Sequence, residues 1–366
     1  MNNLTLPAKI LVIARSARML AQLAVDAGFQ PIAIDCFADT DTQLLALQNV
    51  KVDSLDLADM RDAIESVAKL HDLTHVIYGS GFEAHLESLH YLQTRFEVLG
   101  NSVALLQQLQ NKQAFFQQLA QLGISYPESI FSAPKDAGGW LVKPMCGEGG
   151  VGISVFAYEN GVDGSKVYWQ RRVSGDVFSV LFLVSQGRVR LLGFNRQWPI
   201  DAEAGDFVFA GIDNHAELEA DSRRLLAEWL EKLVSVYPLQ GLGSLDFILH
   251  DQHCYLLEIN ARIPASAQLY GRSILVLHCQ ACAGLLGEIA AVAPRAYQVI
   301  FAEQDTVIPA GMSWPVWAVD RPAGGAFIGK GQPVCSIIAD AIDANQVATR
   351  LRHQKNFIEQ LLNTGF

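Results

Sequence analysis

The stretch Leu245-Asp246-Phe247-Ile248-Leu249, followed across His250–Cys254 by Tyr255-Leu256-Leu257-Glu258-Ile259-Asn260, decides the fold. Both runs are apolar and strand-like, and together they predict a hairpin. With its turn centred on Gln252, Leu245 faces Ile259, Phe247 faces Leu257 and Leu249 faces Tyr255. That register pairs apolar with apolar on one face. The other face sets Asp246 against Glu258, with Asn260 two residues on. A two-residue turn at Asp251 and Gln252 would put the two carboxylates on opposite faces. Asp246 therefore meets Glu258 only across an odd-numbered turn or a bulge. Two carboxylates and an amide oxygen are hard ligands that suit Mg²⁺, although a solvated polar face would carry the same residues. Arg262, just beyond, is a cation able to hold a phosphoryl oxygen.

Upstream, Trp140 to Lys143 predicts a strand leading into Pro144-Met145-Cys146-Gly147-Glu148-Gly149-Gly150-Val151-Gly152, with another strand at Ile153–Tyr158. Glycines at 147, 149, 150 and 152 admit positive φ and close backbone approach, and consecutive N–H groups there can form an anion-binding nest. Lys143 would add a point charge for a phosphate. No Gly-Lys-Ser/Thr opens a helix, so this is not a Walker A loop. Asn111 reads as the cap of a helix over Lys112–Gln121. Strands at Val167–Arg171 and Val177–Val184 and a helix at about Ala216–Val236 follow the glycines.

Residues 1–108 alternate short apolar strands (Ile10–Ala14, Ile32–Asp35, Val76–Tyr78, Phe96–Leu99) with amphipathic helices (Arg18–Ala27, Leu57–Leu70, Ala84–Leu92). This pattern implies a parallel sheet covered by helices. A dinucleotide site is the obvious hypothesis, but Ala14-Arg15-Ser16-Ala17-Arg18 after the first strand lacks the GxGxxG glycines. Asp35 is then expected to be an ordinary strand-end residue, and NAD-dependent oxidoreductase chemistry is disfavoured. The turn Gly79-Ser80-Gly81-Phe82-Glu83 follows a strand C-terminus, where open α/β sheets bind ligands; a plain helix entry would read the same. From about Ala296, Pro and Gly punctuate short strands such as Gln298–Ala302 and Pro315–Val319, and a helix at about Ala344–Leu362 closes the chain.

With 366 residues, two or three domains are expected. Half the residues are hydrophobic and 18% are charged, enough for a large core. Lys plus Arg number 27 against 38 acids, and a net charge of −11 argues against nucleic acid as the main partner. Met1–Lys9 lacks the pattern of a signal peptide, and the apolar run Ile274–Ala293 contains His278, Gln280 and Glu288, favouring a buried helix over a membrane span. A cytoplasmic protein without membrane contact is the expectation. Cys279 and Cys282 form a lone CxxC with no second ligand pair, so both are expected in a helix core.

Lys112, the Lys143 glycine-rich loop, Gln170-Arg171-Arg172-Val173-Ser174-Gly175, Leu245-Asp246-Phe247 and Glu258-Ile259-Asn260-Ala261-Arg262 occur in the order and spacing of the ATP-grasp superfamily, which the whole chain resembles. The subgroup most similar is the predicted ATP-dependent carboligases related to biotin carboxylase. The resemblance implies an α/β fold in three parts. Residues 1–108 would be a Rossmann-like pre-ATP-grasp domain. Residues 109–295 would be the ATP-grasp domain, divided into an ATP-binding subdomain (109–172) and a metal-binding subdomain (173–295), and 296–366 a small β-rich segment with a closing helix.

The resemblance also implies roles. Lys112 and Lys143 would contact nucleotide phosphate and adenine N7. Gly147 to Gly152, with Glu148, Gly149 and Gly150, would close over the β- and γ-phosphates. Gln170 would read the adenine amino group, and Arg171 and Val173 would use backbone atoms at the ring edge. Asp246, Glu258 and Asn260 would hold Mg²⁺, or Mn²⁺ in its place, and Arg262 would lie near the γ-phosphate or acyl-phosphate. Val177 stands where the family's ribose acid usually falls, leaving Asp176, one residue early, as the substitute. Ser244 stands where a phosphate-binding arginine is common, leaving Arg196 as the candidate replacement. The implied activity is Mg²⁺- and ATP-dependent activation of a small carboxylate as an acyl-phosphate for attack by an amine. Rivals are a biotin-carboxylase-like enzyme activating bicarbonate and a non-catalytic nucleotide-binding protein. A homodimer would be in keeping with similar enzymes.

Overall fold

The computed structural model describes residues 7–136, 138–157, 163–201 and 206–363. Strands Lys9–Ile13 (β1), Gln30–Asp35 (β2), Gln48–Lys51 (β3), His75–Tyr78 (β4) and Glu97–Val98 (β5) form a parallel sheet in the order β3-β2-β1-β4-β5. Its connections include helices Arg18–Asp26 (α1), Thr40–Leu45 (α2), Leu57–His71 (α3) and Leu86–Arg95 (α4). Pleating sends Leu11, Ile13 and Ile34 into one core with Met60 and Ile64 of α3, and Ile10 and Val12 into another with Leu20 and Ala24 of α1. The strand order reverses between β1 and β4, so the crevice past their C-termini is the place such sheets use for ligands. Arg15 and the Gly79–Phe82 turn meet there, the Arg15 N–H donating to the Ser80 carbonyl at 2.9 Å. Asp35 does not face that crevice as a free acid. It is fully buried and accepts from the backbone N–H groups of Ala17 (3.1 Å) and Ala38 (2.9 Å), the strand-end role expected of it.

Helices Val103–Gln110 (α5) and Lys112–Gln121 (α6) lead to a small antiparallel sheet, β6-β9-β7-β8, of Ser129–Ile130 (β6), Trp140–Pro144 (β7), Ser154–Val155 (β8) and Val167–Arg171 (β9). The strand expected at Ile153–Tyr158 is reduced to β8, and Tyr158 lies outside the described residues. An eight-stranded antiparallel sheet follows, in the order β14-β13-β10-β11-β12-β15-β19-β17. It comprises Asp176–Ser185 (β10), Arg188–Asp201 (β11), Asp206–Asp213 (β12), Gly241–His250 (β13), His253–Asn260 (β14), Arg295–Phe301 (β15), Ala318–Val319 (β17) and Pro333–Asp340 (β19). Thr306–Val307 (β16) pairs separately with Phe327–Ile328 (β18). Helix Ala220–Val236 (α7) buries Leu226, Trp229 and Leu230 in the core that also holds Phe178 and Phe247, and Ala344–Asn363 (α9) packs near β15 and β19. Of the C-terminal strands, β15, β17 and β19 thus extend the large sheet, while β16 and β18 form a small one of their own.

The apolar run at 274–293 is helical only over Ile274–Cys282 (α8), because Gly284 at φ 92° ends it. Among the described residues no helix is long and apolar enough to cross a membrane. Within α8, His278 Nδ1 accepts from the Leu242 N–H at 2.9 Å and Nε2 faces the Leu99 carbonyl at 3.0 Å. Burial holds this imidazole down at about 4 and pushes the thiols of Cys279 and Cys282 up to about 12. Cys279 is buried and Cys282 half-buried in this helix.

A second polar contact joins the first helix to the C-terminal part. Arg18, 3% exposed, donates to Asp320 at 2.8 Å; the Asp41 carboxylate accepts from the backbone N–H groups of Asp320 and Arg321, each at 2.9 Å.

Candidate active site

The hairpin β13–β14 brings Asp246 directly opposite Glu258, as the pleating argument required. Asp251 (φ 45°) and Gln252 (φ 65°) both adopt the left-handed conformation that a two-residue type I′ turn demands. The register starts as His250↔His253 and shifts by one residue between Asp246 and Phe247, so Phe247 faces Leu256 and Leu249 faces Cys254. The expected partners Leu257 and Tyr255 are displaced. Of the two solutions that keep the carboxylates together, the chain uses the bulge.

The bulge leaves a row of polar side chains running across the sheet. Register places Glu258, Asp246, Ser179 and Asn195 side by side on four consecutive strands. Ser244 Oγ donates to Asp246 Oδ1 at 3.2 Å, Asn260 Nδ2 to Asp246 Oδ2 at 3.1 Å and to Ser244 Oγ at 3.2 Å. Further along, Asn195 Nδ2 donates to Ser179 Oγ at 3.2 Å and Tyr270 Oη to Asn195 Oδ1 at 2.7 Å. Burial first, then the charge of Glu258 opposite, push the Asp246 carboxyl well above the usual carboxylate range. Two facing carboxylates with so few donors form a site short of positive charge. Hard oxygens in that deficit fit a divalent cation such as Mg²⁺.

The small sheet supplies a cation. Alternation along β7 turns Trp140 and Val142 toward Trp169 and Phe156, so Lys143 projects from the opposite face, shared with Tyr168 and Gln170 of β9. Lys143 Nζ donates to Gln170 Oε1 at 3.1 Å, and Gln170 Nε2 to Ser129 Oγ at 3.0 Å. Burial brings the Lys143 ammonium down to about 8, opposed by the carboxylates of Glu258 and Asp246 and assisted by Lys112. Lys112 starts α6, whose cap Asn111 accepts the Ala114 N–H at 3.1 Å. Arg171 falls on the other face of β9, with its guanidinium 4.1 Å above the Trp140 ring and paired to Glu128 at 3.2 Å; only its backbone can serve the Lys143 face. Val173 is half-buried just beyond.

The loop 145–153 lies against the large sheet. The Phe209 N–H donates to the Gly149 carbonyl at 2.8 Å, and a Cβ on Gly150, at φ 77°, would fall 2.0 Å from the Phe207 carbonyl oxygen, so only glycine fits. Glu148 reaches Arg15 at 3.4 Å, leaving its Oε2 buried without a partner. Arg262 pairs with Glu83 of the β4 turn at 2.5 Å. Burial works against the charge of Arg262, but Glu83, with Glu148 and Glu258 beyond it, holds the guanidinium above its ordinary pKa.

Lys112, Lys143, Gln170, Asp246, Glu258, Asn260, Arg262 and the glycine loop therefore converge where the three sheets meet. Residues 109–266 match the ATP-grasp domain family. The chain carries an ATP-grasp domain. Its fold is similar to the biotin carboxylase domain of Hydrogenobacter thermophilus 2-oxoglutarate carboxylase, solved as a dimer with MgADP and bicarbonate (TM-score 0.74, 16% identity, 95% of this chain and 89% of that one). It is also similar to the L-amino acid ligase of Bacillus licheniformis (0.71, 16%, 96% and 97%) and to N5-carboxyaminoimidazole synthetase of Staphylococcus aureus (0.67, 14%, 97% and 99%). An uncharacterised protein of Methanocaldococcus jannaschii is 23% identical over 260 residues, 66% of this chain and 63% of that relative, so the chain spans less than two thirds of its length.

Two expectations about the ATP-grasp domain need correction. Asp176 pairs with Leu249 and alternates onto the Phe178 and Phe247 face of the large sheet, away from Asp246; β10 does not bring it to the polar row. Arg196, next to Asn195 in β11, likewise points to the opposite face, where it pairs with Asp213 at 3.1 Å. Sequence reasoning missed Glu83 as the partner of Arg262 and Arg15 as that of Glu148. Each pair joins distant segments, and the only signal was their position beside β1 and β4 C-termini.

Proposed function

We propose that this chain is a Mg²⁺- and ATP-dependent ligase that activates a small-molecule carboxylate as an acyl-phosphate for attack by an amine, releasing ADP and phosphate. The observation that carries this is the half-buried Asp246–Glu258 pair within an ATP-grasp domain, close enough to Lys143 for their charges to act on it. Residues 1–108 act as the pre-ATP-grasp domain, 109–295 as the ATP-grasp domain and 296–366 as its β-rich extension. Asp246, Glu258 and Asn260 hold Mg²⁺, which supplies charge neutralisation for the transferring phosphoryl group.

The protein's own residues position and shield. Lys143 and Lys112 bind phosphate and the adenine edge, Gln170 the adenine amino group, and the backbone of Arg171 and Val173 the ring. Gly147, Glu148, Gly149 and Gly150 cover the phosphates and exclude water that would hydrolyse the acyl-phosphate. Arg262, fixed by Glu83, meets the charge that develops on the transferring group, a preorganised electrostatic role. The L-amino acid ligase likeness supports the ligase reading. The carboxylase likeness supports a second one, in which bicarbonate is the carboxylate activated.

Thermal unfolding with Mg·ATP, Mg·ADP or NAD(P)H is the first test. A ligand at about 100 times its Kd stabilises by ~2.7 kcal/mol, a few degrees. A shift with the adenine nucleotides alone supports the nucleotide site; a shift only with NAD(P)H sinks the proposal. ADP release is then followed with acid–amine pairs and, separately, with bicarbonate, and the substrate that drives it separates ligase from carboxylase.

A further inference from the structure

A cavity of about 280 Å³ opens between β11, β12, β15 and α9, on the face of the large sheet turned away from the Asp246 row. Its apolar lining comes from Trp198, Ala296, Val347 and Leu351. Arg196, His215, Arg352 and Lys355 supply the basic groups, and Asp213 is the sole carboxylate lining it among the described residues. That carboxylate is already committed: Arg196 lies 3.1 Å from Oδ2, His215 Nε2 3.6 Å from it, and the His215 N–H 3.3 Å from Oδ1. Arg352 makes no hydrogen bond or ion pair among the described residues. His215 Nδ1 is buried without a partner, which a polar atom tolerates only at a cost.

On a chain of net charge −11, Arg352 and Lys355 beside an acid already paired to Arg196 make a locally basic edge to an apolar floor, with Lys355 also 3.5 Å from Glu359 one turn further along α9. An acidic head group meets Arg352 and Lys355, while an apolar body lies on Trp198 and Leu351. The volume of about 280 Å³ falls just below the ~300–1,000 Å³ range of small-molecule sites, so the occupant is small. We infer that this cavity is a second binding site, separate from the nucleotide site, for a small organic anion with an apolar body. Nothing in the inference depends on the reaction proposed above.

Phenyl phosphate is a suitable probe and phenol its uncharged counterpart, titrated calorimetrically into the full chain saturated with Mg·ADP. Phenyl phosphate should bind, and phenol at least about tenfold more weakly. Arg352→Glu, an exposed change on α9, should weaken phenyl phosphate by at least about tenfold, and Ala348→Phe, which fills the cavity from the same helix, should abolish binding. Lys143→Ala should leave it intact, since that lysine lies in the other site. Thermal unfolding of each variant reports folding. The inference is overturned by no binding to the parent protein, by equal binding of phenol, or by affinity undiminished in both α9 variants.

Discussion

Two charge clusters of this molecule are built on opposite principles. Where α1 meets the C-terminal part, Arg18 has Asp320, Asp320 has Tyr297 as a further donor at 3.1 Å, and Asp41 has two backbone N–H groups. Nearly every lone pair is matched, and Asp320 stays below the usual carboxylate range despite burial, held there chiefly by Arg18. In the proposed nucleotide site Asp246 and Glu258 are set opposite each other with an amide and a hydroxyl as neighbours, and Lys143 donates to a neutral glutamine. Matched charge holds parts together. Crowded like charge, kept in place by a hairpin, is held ready for something that arrives from outside.

Breaking each cluster should separate stability from function. The largest effect is expected from Asp246→Asn or Glu258→Gln, which should lower Mg·ATP turnover by roughly 10²–10³-fold or more while the unfolding temperature stays the same or rises. A variant that keeps full turnover would remove the pair from the metal site. Arg18→Ala should do the reverse. It strands Asp320 and should cost about 3–5 kcal/mol in denaturant unfolding, with Mg·ADP affinity per folded molecule unchanged. Next comes Lys143→Ala, expected to weaken ATP binding by about 1.5–3 kcal/mol in calorimetry, the worth of a charged hydrogen bond.

Asp39 sharpens the comparison, because it is the one strained acid in the matched cluster. Burial, then Asp320 and Asp41, push its carboxyl up to about 7. A folded-state value above the unfolded one means that stability is full below pH 4 and falls as pH rises toward 7. Asp39→Asn should therefore stabilise the protein at pH 8 by about 1–3 kcal/mol and have little effect at pH 4. Arg171→Ala gives the smallest effect: its guanidinium stacks on Trp140 outside the site, so nucleotide affinity should not change.

What the sequence revealed and what it hid follow from range. The alternation of Leu245, Phe247 and Ile259 was enough to bring Asp246 to Glu258, because local pleating is a period-two property. It could not choose between an odd turn and a bulge, since both satisfy the same alternation, and so Phe247 and Leu249 acquired other partners. Asp176 and Arg196 were misplaced by one residue each, which in a strand means the wrong face. The 274–293 run was too long a helix because its apolar content outweighed the stop at Gly284. Glu83–Arg262 and Arg18–Asp320 were illegible for another reason: 179 and 302 residues separate the partners, and no local pattern encodes a contact of that span.

That last separation has a kinetic side. At about 5–20 residues per second of synthesis, the guanidinium of Arg18 waits roughly 15–60 s for Asp320 to be made. Throughout that interval the first helix can pack on its own strands, but Arg18 has no Asp320 to pair with. The contact that ties α1 to the C-terminal part is therefore among the last the growing chain can make.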